Sequence, residues 1–576
     1  MQIADRSSHH RLIAITTDRR SSAIADENKL CRRSQSRSPR PPPSSSLTTA
    51  TNACKATLYP GACESLLLST SQVADGPKTV GEIFDLSVHA AIQGFKSTWS
   101  LANNLSLSAQ KLSSSSSSSS SVGSVGHESY LPSTAMDDCV ELLDHSLGQL
   151  TKILDTKTRP TLSGDDVRTW LSAALTHHTT CLEGLDEQAR KFPKERDMVH
   201  QSAQTMHHHI SNSLALHKLD HDHDALEEKE KSSYSSNHHD YPGWISRKDR
   251  KLLEASVEDL EVKAVVAKDG RGTHKTIGEA LEFVSTLAGG GRNVIHVTAG
   301  TYSESSLKIP RSSPNIMLVG DGKGNTVITG SKSVGGGSTT FGSASFGVSG
   351  DGFMARDISF VNNAGPATHQ AVALLVSSDK SVFYRCSIIG YQDTLYTLSN
   401  RQFYRETDIY GTVDFIFGNS AVVIQNSNIF PRKPMSDQKN FITAQGRSDP
   451  NQNTGISIQG CRVAATSDLA SAKNPTYLGR PWKQYSRTVY LESFLDGSIS
   501  SAGWYPWAGG GSPSSVFYGE YMNSGPGSGT SGRVHWPGYH AALSTVQATE
   551  FTVARLISGT QWLPSTGVGF DSGLHA

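Results

Sequence analysis

Gln370, Asp393 and Asp414 lie 23 and 21 residues apart, and Gln392 stands beside Asp393. If that interval is one turn of a stacked repeat, the two carboxylates sit about one strand spacing apart, roughly 4.7–4.9 Å. Two carboxylates at that distance cannot both ionise cheaply. They share a proton and their apparent pKa values split. An anionic aspartate beside a protonated one can attack a carbonyl and protonate the leaving group. Glutamine amides supply N–H donors for an oxyanion. No Gly-x-Ser-x-Gly elbow offers a serine route. The plainer reading is that aspartates on outward solenoid turns only confer solubility.

Such a spacing needs a repeating scaffold, and the chain after Val262 supplies one. Short β-rich runs alternate with Gly/Asn/Asp turns at Val294–Val297, Ile316–Val319, Val327–Thr329, Ala355–Phe360, Val372–Val376, Val382–Cys386, Gln402–Arg405, Val422–Gln425 and Ile456–Gln459. Phe360, Phe383, Phe403 and Ile424 step by 23, 20 and 21, the period of a solenoid coil. No crossover helices interrupt the runs. The pattern predicts an all-β parallel β-helix from about residue 262 to 550, with inward residues stacked in ladders.

The front of the chain has a different texture. Residues 1–48 are Arg/Ser/Pro-rich and read as disordered. From Asn52 to Ser213 apolar residues recur at helical spacing, as in Val80, Phe84, Val88, Ile92 and in Cys139, Leu142, Leu143, Leu147, Leu150. This predicts an all-α antiparallel bundle with a loop at Ser113–Ser121. The domain plan is then 1–48, a helical region at 49–215, a linker at 216–255 and the β-helix at 256–576. The linker carries His217, Asp220, His221, Asp222 and His223 just after His207-His208-His209. These are metal-capable, but a solvated linker is the simpler reading, since flexible ligands lose ordering entropy on binding.

Lys+Arg and Asp+Glu both number 53, so nothing in the charge balance points to nucleic acid or an anionic membrane. Seven cysteines include no CxxC and no zinc-finger spacing. Four of them, Cys54, Cys63, Cys139 and Cys181, fall on helical segments and suggest two disulfides made in an oxidising compartment. A secretory leader needs an apolar run of about 7–15 residues, and Leu12–Ile15 is the only candidate near the start. No segment is apolar for long enough to span a membrane. Asn104-Leu105-Ser106 is an N-glycosylation acceptor pattern.

Local words add a resemblance. Gly390-Tyr391-Gln392-Asp393-Thr394-Leu395-Tyr396, Gly411–Asn419 and Leu478-Gly479-Arg480-Pro481-Trp482 resemble the signature segments of plant pectin methylesterases. So do Val265–Ile277, Gly350–Phe360, Gln445–Asn451 and Gly525-Pro526-Gly527, in order along the chain. The helical region resembles the inhibitor-like pro-region of the same family. The resemblance implies a right-handed β-helix that hydrolyses methyl esters of pectin homogalacturonan, with no metal or cofactor. Asp414 would be the nucleophile and Asp393 the general acid and base. Gln370 and Gln392 would hold the oxyanion, and Arg480 would orient Asp414. Thr340, Gln370, Arg480 and Trp482 would contact substrate. Tyr391, Phe415, Trp504 and Trp507 are further candidates for cleft aromatics. Disulfides Cys54–Cys63 and Cys139–Cys181 are implied, as is cleavage at Arg250-Lys251-Leu252-Leu253. Inhibitor proteins and a subtilisin-like protease would be partners of a secreted, cell-wall monomer.

The sequence departs from that pattern at Thr407 and Ser427, where the family commonly has a pair of cysteines, and at His274, which replaces a usual Phe. Rival readings are a pectin lyase or polygalacturonase on the same scaffold, or a non-catalytic pectin-binding or inhibitory protein. The Asp/Asp/Gln/Gln/Arg set fits an esterase better than either.

Overall fold

The computed structural model describes residues 52–70, 79–116, 135–228, 256–287, 291–304, 307–472, 474–508 and 513–575, all within the compact unit Ser45–Ala576. Cys31 and the segment Arg250–Leu253 lie outside the described residues.

Among the described residues the front of this unit carries the longer helices α1 (Pro60–Thr70), α2 (Val80–Ser116), α3 (Ala135–Leu154), α4 (Gly164–Glu187) and α5 (Pro193–Glu228). Their apolar faces make them a bundle. On α3, Cys139, Leu142, Leu143 and Leu150 recur at the i, i+3, i+4 spacing of a single stripe and are fully buried. Helix α4 begins at a capping box, in which Ser163 and Asp166 satisfy each other's backbone N–H groups. One disulfide, Cys54–Cys63, ties the entry segment to α1; the other, Cys139–Cys181, staples α3 to α4.

Two boundaries differ from the sequence reading. Helix α2 runs on through Ser116, into the serine tract expected to be a loop. Serine lowers helix propensity by only a fraction of a kcal/mol per residue, too little to stop a helix already packed on α5. The supposed linker is also helical as far as Glu228. His217 is buried and donates from Nε2 to the Gly164 carbonyl at 2.9 Å, and the His208 ring stacks on Tyr59 at 4.1 Å. These histidines are packing residues. Among the described residues no three His, Cys, Asp or Glu side chains are grouped to hold a metal, and no helix is long and apolar enough to cross a membrane.

The rest is a right-handed parallel β-helix. Its three sheets have eleven, eight and seven strands, and every strand pairing among the described residues is parallel. The eleven-stranded sheet runs from Val262–Val266 to Tyr539–His540, the eight-stranded from Gly300–Ser303 to Phe494–Leu495, and the seven-stranded from Leu307–Ile309 to Thr476–Gly479. A short helix, Ile277–Ser285, presses Ile277, Ala280 and Val284 into the apolar lumen near the first coils.

The inward ladder differs from the one the periodicity suggests. Phe383 pairs with Tyr404, not Phe403, and Tyr404 with Ile424; the Phe383 and Tyr404 rings stack at 4.8 Å. Phe403 points outward, under the C-terminal segment that carries Val553, Ile557 and Trp562. Phe360 belongs to the eight-stranded sheet and meets Phe383 edge-on across the lumen at 6.1 Å. A count of about 21 residues finds the coil, but it cannot tell neighbours that alternate between faces.

One corner repeats on coil after coil. Asp357, Arg385, Glu406, Asn426, Glu492 and Met522 all have φ between 47° and 60°, as does Gly460. All but Met522 turn the chain from the eleven- to the eight-stranded sheet; Met522 leads to a single bridge from Ser524 to Phe494. The next residue points inward: Cys386, Thr407, Ser427, Cys461 and Ser493 form a buried column. Thr407 and Ser427 are adjacent in it, and the Thr407 N–H donates to Ser427 Oγ at 3.1 Å. Hydroxyl-to-backbone hydrogen bonds thus fill the place where a disulfide would tie the coils. Cys386 and Cys461 keep free thiols, which burial pushes up to about 12.

Candidate active site

The site is built on the outer face of the seven-stranded sheet. Leu395 pairs with Ile416, so Asp393 and Asp414, each two residues earlier, are neighbours in one column. The Asp393 N–H donates to the Val413 carbonyl at 3.0 Å. Both aspartates are left-handed, with φ of 61° and 51°. Non-glycine residues hold that conformation only where the surrounding structure enforces it. Here the turn lifts each carboxyl off the sheet and into a cleft, yet leaves it only 7% and 6% exposed. Gln370 lies outside this column. Its neighbour Ala371 donates to the Gln392 carbonyl at 3.2 Å, which brings the two glutamines to the same rim.

Arg480 reaches the column from just past the strand Thr476–Gly479, two strands beyond Ile416–Gly418. Its Nε and Nη2 donate to the two Asp414 carboxylate oxygens at 2.8 and 2.6 Å, the fork that guanidinium geometry allows and an ammonium does not. The guanidinium is stacked between Phe441, 4.1 Å from the ring centre, and Trp507, at 4.4 Å. Tyr396 and Phe417, one coil apart, stack at 4.1 Å and pave the floor, with the Trp482 ring 6.0 Å from Phe417.

Electrostatics separates the two acids. Burial pushes the Asp393 carboxyl well above its ordinary range, and the charges of Asp414 and Glu187 push it further against a weaker pull from Arg480. Burial also raises Asp414, but there the Arg480 hydrogen bonds and charge oppose it. Of the two, Asp393 is the one pushed further toward its protonated form, and Arg480 favours the anion on Asp414.

A cavity of about 240 Å³ opens over these groups, lined by Gln370, Gln392, Asp393, Asp414, Arg480 and Trp482. Its roof comes from the helical bundle. Thr180, Glu183 and Glu187 of α4 line it too. Glu187 accepts from the Thr340 N–H and from Thr340 Oγ1, both at 2.8 Å, and Glu183 accepts from Lys483. The cover is apolar as well: Val372, Leu375, Tyr396, Leu398 and Phe417 of the sheet share one continuous core with Leu171, Leu175 and Leu143 of the bundle.

The structure thus gathers Gln370, Gln392, Asp393, Asp414, Arg480, Trp482 and Thr340 at one cleft. Three suggested cleft aromatics are not among its lining residues. Phe415 and Trp504 are fully buried in the lumen, Trp504 against Tyr518. Tyr391 lies beneath Arg432, whose guanidinium is 4.0 Å from the ring centre. Asn104 is exposed on α2. Sequence reasoning missed Phe441, which is the next residue in the Asp393–Asp414 column, and the Tyr396–Phe417 pair, although both members fall inside the signature words at the coil period. It also missed Glu183 and Glu187, whose i, i+4 spacing puts them on one helix face with Thr180 and Gly184.

Comparison with known proteins agrees with this architecture. The pectinesterase family model matches residues 263–560, and the plant invertase/pectin methylesterase inhibitor model matches residues 48–216. "Probable pectinesterase/pectinesterase inhibitor 35" of Arabidopsis thaliana is 56% identical over 448 residues, 76% of this chain and 81% of that one. Pectinesterase 2 of Citrus sinensis is 51% identical over 445 residues, covering 76% and 82%. The solved pectin methylesterase from carrot is 51% identical with a TM-score of 0.54, and covers 56% of this chain and 99% of its own. In that relative, therefore, a polypeptide little more than half the length of this one stands as a folded chain. With the β-helix and the inhibitor-like bundle both matched, the chain belongs to the pectinesterase family, as a carboxylic ester hydrolase preceded by a plant invertase/pectin methylesterase inhibitor region.

Proposed function

We propose that the chain hydrolyses the methyl esters of pectin homogalacturonan to pectate and methanol by an aspartate nucleophile. The observation that carries this reading is the Arg480-clamped Asp414 beside a buried Asp393. Asp414 attacks the ester carbonyl carbon, and the N–H groups of Gln370 and Gln392 take the oxyanion. The tetrahedral intermediate collapses as Asp393 gives its proton to the methoxy oxygen, and methanol leaves. Asp393, now a carboxylate, takes a proton from water, whose oxygen attacks the carbonyl of the acyl–Asp414 anhydride. The uronic acid departs, Asp414 is again an anion and Asp393 is again protonated. Trp482 offers an apolar face to a sugar ring.

In the intact chain the bundle keeps the cleft shut. Separation of the two halves by a subtilisin-like protease at Arg250–Leu253 belongs to this reading, as do binding by free inhibitor proteins and action in the cell wall. The direct test is methanol release from methylated pectin by the β-helix half. New reducing or unsaturated ends in place of methanol would move the assignment to a hydrolase or lyase of the sugar chain.

Two variants follow from the geometry. Replacing Arg480 by Lys removes the fork and leaves one point charge on Asp414. Losing a charged hydrogen bond of this kind costs about 1.5–3 kcal/mol, so kcat/KM should fall roughly 10- to 150-fold. The pH profile is set by the two aspartates. Asp414 must be ionised, so rate is lost as pH falls through its pKa. Asp393 must start protonated, so rate is lost as pH rises through its raised pKa. Asp393→Asn should lower the maximal rate about 10²–10⁴-fold and abolish the alkaline limb. An alkaline limb that persists in Asp393→Asn assigns it to another group.

A further inference from the structure

The Asp393–Asp414 column does not stop at the second acid. Its next two members are Phe441 and Tyr477, one on each following coil. Phe441 is 5% exposed and does not line the cavity, whereas Arg480 and Trp507 both do. Its contact with the reacting groups is the Arg480 guanidinium, whose Cζ lies 4.1 Å from the ring centre. The ring is itself braced. The Phe441 N–H donates to the Thr412 carbonyl at 3.2 Å, and the Phe441 carbonyl accepts from the Phe415 N–H at 3.3 Å. Behind it stand Tyr477, nearly parallel at 5.6 Å, and Tyr505 at 5.3 Å. Lys439 closes the group by donating to Tyr505 Oη at 3.0 Å. The strand and two tyrosines thus hold a flat face against Arg480.

Arg480 needs such a face. Its main chain is anchored, the N–H donating to the Thr443 carbonyl at 3.0 Å. Several side-chain torsions separate that anchor from the guanidinium, and each has alternative wells. Two parallel N–H···O bonds form only when guanidinium and carboxylate lie in one plane. The backbone fixes where the arginine starts, and a ring face fixes how its end is turned.

We infer that Phe441 is a positioning residue for the reaction: it fixes the plane of the Arg480 guanidinium, so that both N–H donors stay on Asp414. The inference rests on the proposed esterase reading and names a residue that serves its nucleophile. A tilted guanidinium keeps one bond and leaves the other Asp414 oxygen unclamped. The nucleophile is then misaimed. It is also less readily ionised, because the Arg480 hydrogen bonds oppose the burial that raises Asp414. The loss falls on attack and not on substrate binding.

The experiment uses the chain cut within residues 229–255 and separated from its bundle, as wild type, Phe441→Leu, Phe441→Met and Phe441→Tyr, each also combined with Arg480→Lys. Leucine and methionine keep apolar bulk without a ring face, and tyrosine keeps the face. In Phe441→Leu and Phe441→Met, kcat for methanol release from methylated pectin should fall about 10- to 30-fold, the scale of a desolvated cation–π contact. KM should not change. The acid limb of the pH profile should move to higher pH, since Asp414 loses a donor that favours its anion. Phe441→Tyr should restore both the rate and the limb. An ammonium has no plane to fix, so beside Arg480→Lys the change Phe441→Leu should cost less than about twofold more, the non-additivity of residues that act together. Unchanged kcat in Phe441→Leu and Phe441→Met, a loss carried by KM, or a full loss that persists beside Arg480→Lys overturns the inference while the esterase reading stands. No methanol from the wild type overturns the esterase reading itself.

Discussion

Asp414→Asn should reduce methanol release by the freed β-helix half on the order of 10⁴–10⁶-fold, the scale of deleting the nucleophile from an acyl-transfer site. The variant removes the attacking oxygen's charge, and it also disturbs the clamp. Arg480 now gives two hydrogen bonds to two carboxylate oxygens, at 2.8 and 2.6 Å. An asparagine amide can accept only one of them and turns an N–H₂ toward the second donor. Arg480 is therefore pushed away or left half-satisfied, although its stacking between Phe441 and Trp507 keeps it near. Asp414→Ala separates the two effects, because it removes the nucleophile without adding a second donor. Both variants should melt cooperatively, since the lumen core is untouched. Unchanged methanol release in both would remove Asp414 from the reaction.

The sequence carried the site better than the architecture around it. Asp393 and Asp414 were readable because a solenoid turns a sequence interval into a distance, and because they sit in dense signature words. The same interval misplaced the Phe360–Phe383–Phe403 ladder, since it says nothing of which face a strand residue takes. The corner residues Arg385, Glu406 and Met522 were invisible for a different reason. Left-handed backbone is usually flagged by Gly or Asn, whereas here stacking on both sides enforces it on long side chains. The end of the bundle was misjudged because a His/Asp/Glu-rich run looks solvated. Yet His217 is buried, with the Gly164 carbonyl as its acceptor. The roof of the cleft was the least legible feature, because contacts such as Glu187 to Thr340 join residues 153 apart and follow no period.

That roof makes the outcome of cleavage depend on concentration. A cut within residues 229–255 breaks the covalent connection between the two halves. The bundle is still held by the shared apolar core around Leu375, Tyr396 and Phe417, and by a polar border along α3 and α4. Lys308 pairs with Glu141 at 2.7 Å and Arg311 with Asp144 at 3.0 Å. Trp170 Nε1 donates to Asp379 at 3.2 Å, and His177 bonds Ser399 at 2.8 Å. Arg401, only 1% exposed, is shared between Asp379 and Asp166 at 2.6 and 2.5 Å. Burial raises the Asp166 carboxyl, but Arg401 and Lys380 outweigh it and hold the group at about 2, so this pair persists at mildly acidic pH. Membership of one chain gives the two halves a high effective concentration for each other. Cutting it replaces that value with the bulk concentration. Nicked protein should therefore remain one particle by size exclusion at micromolar concentration and release little methanol. Specific activity should then rise on dilution, in parallel with appearance of the separate bundle. Asp166→Ala should move the dilution midpoint to roughly 10- to 150-fold higher concentration, the equivalent of about 1.5–3 kcal/mol for a lost charged hydrogen bond. Full activity immediately on cutting, independent of dilution, would mean that the bundle does not close the cleft once it is untethered.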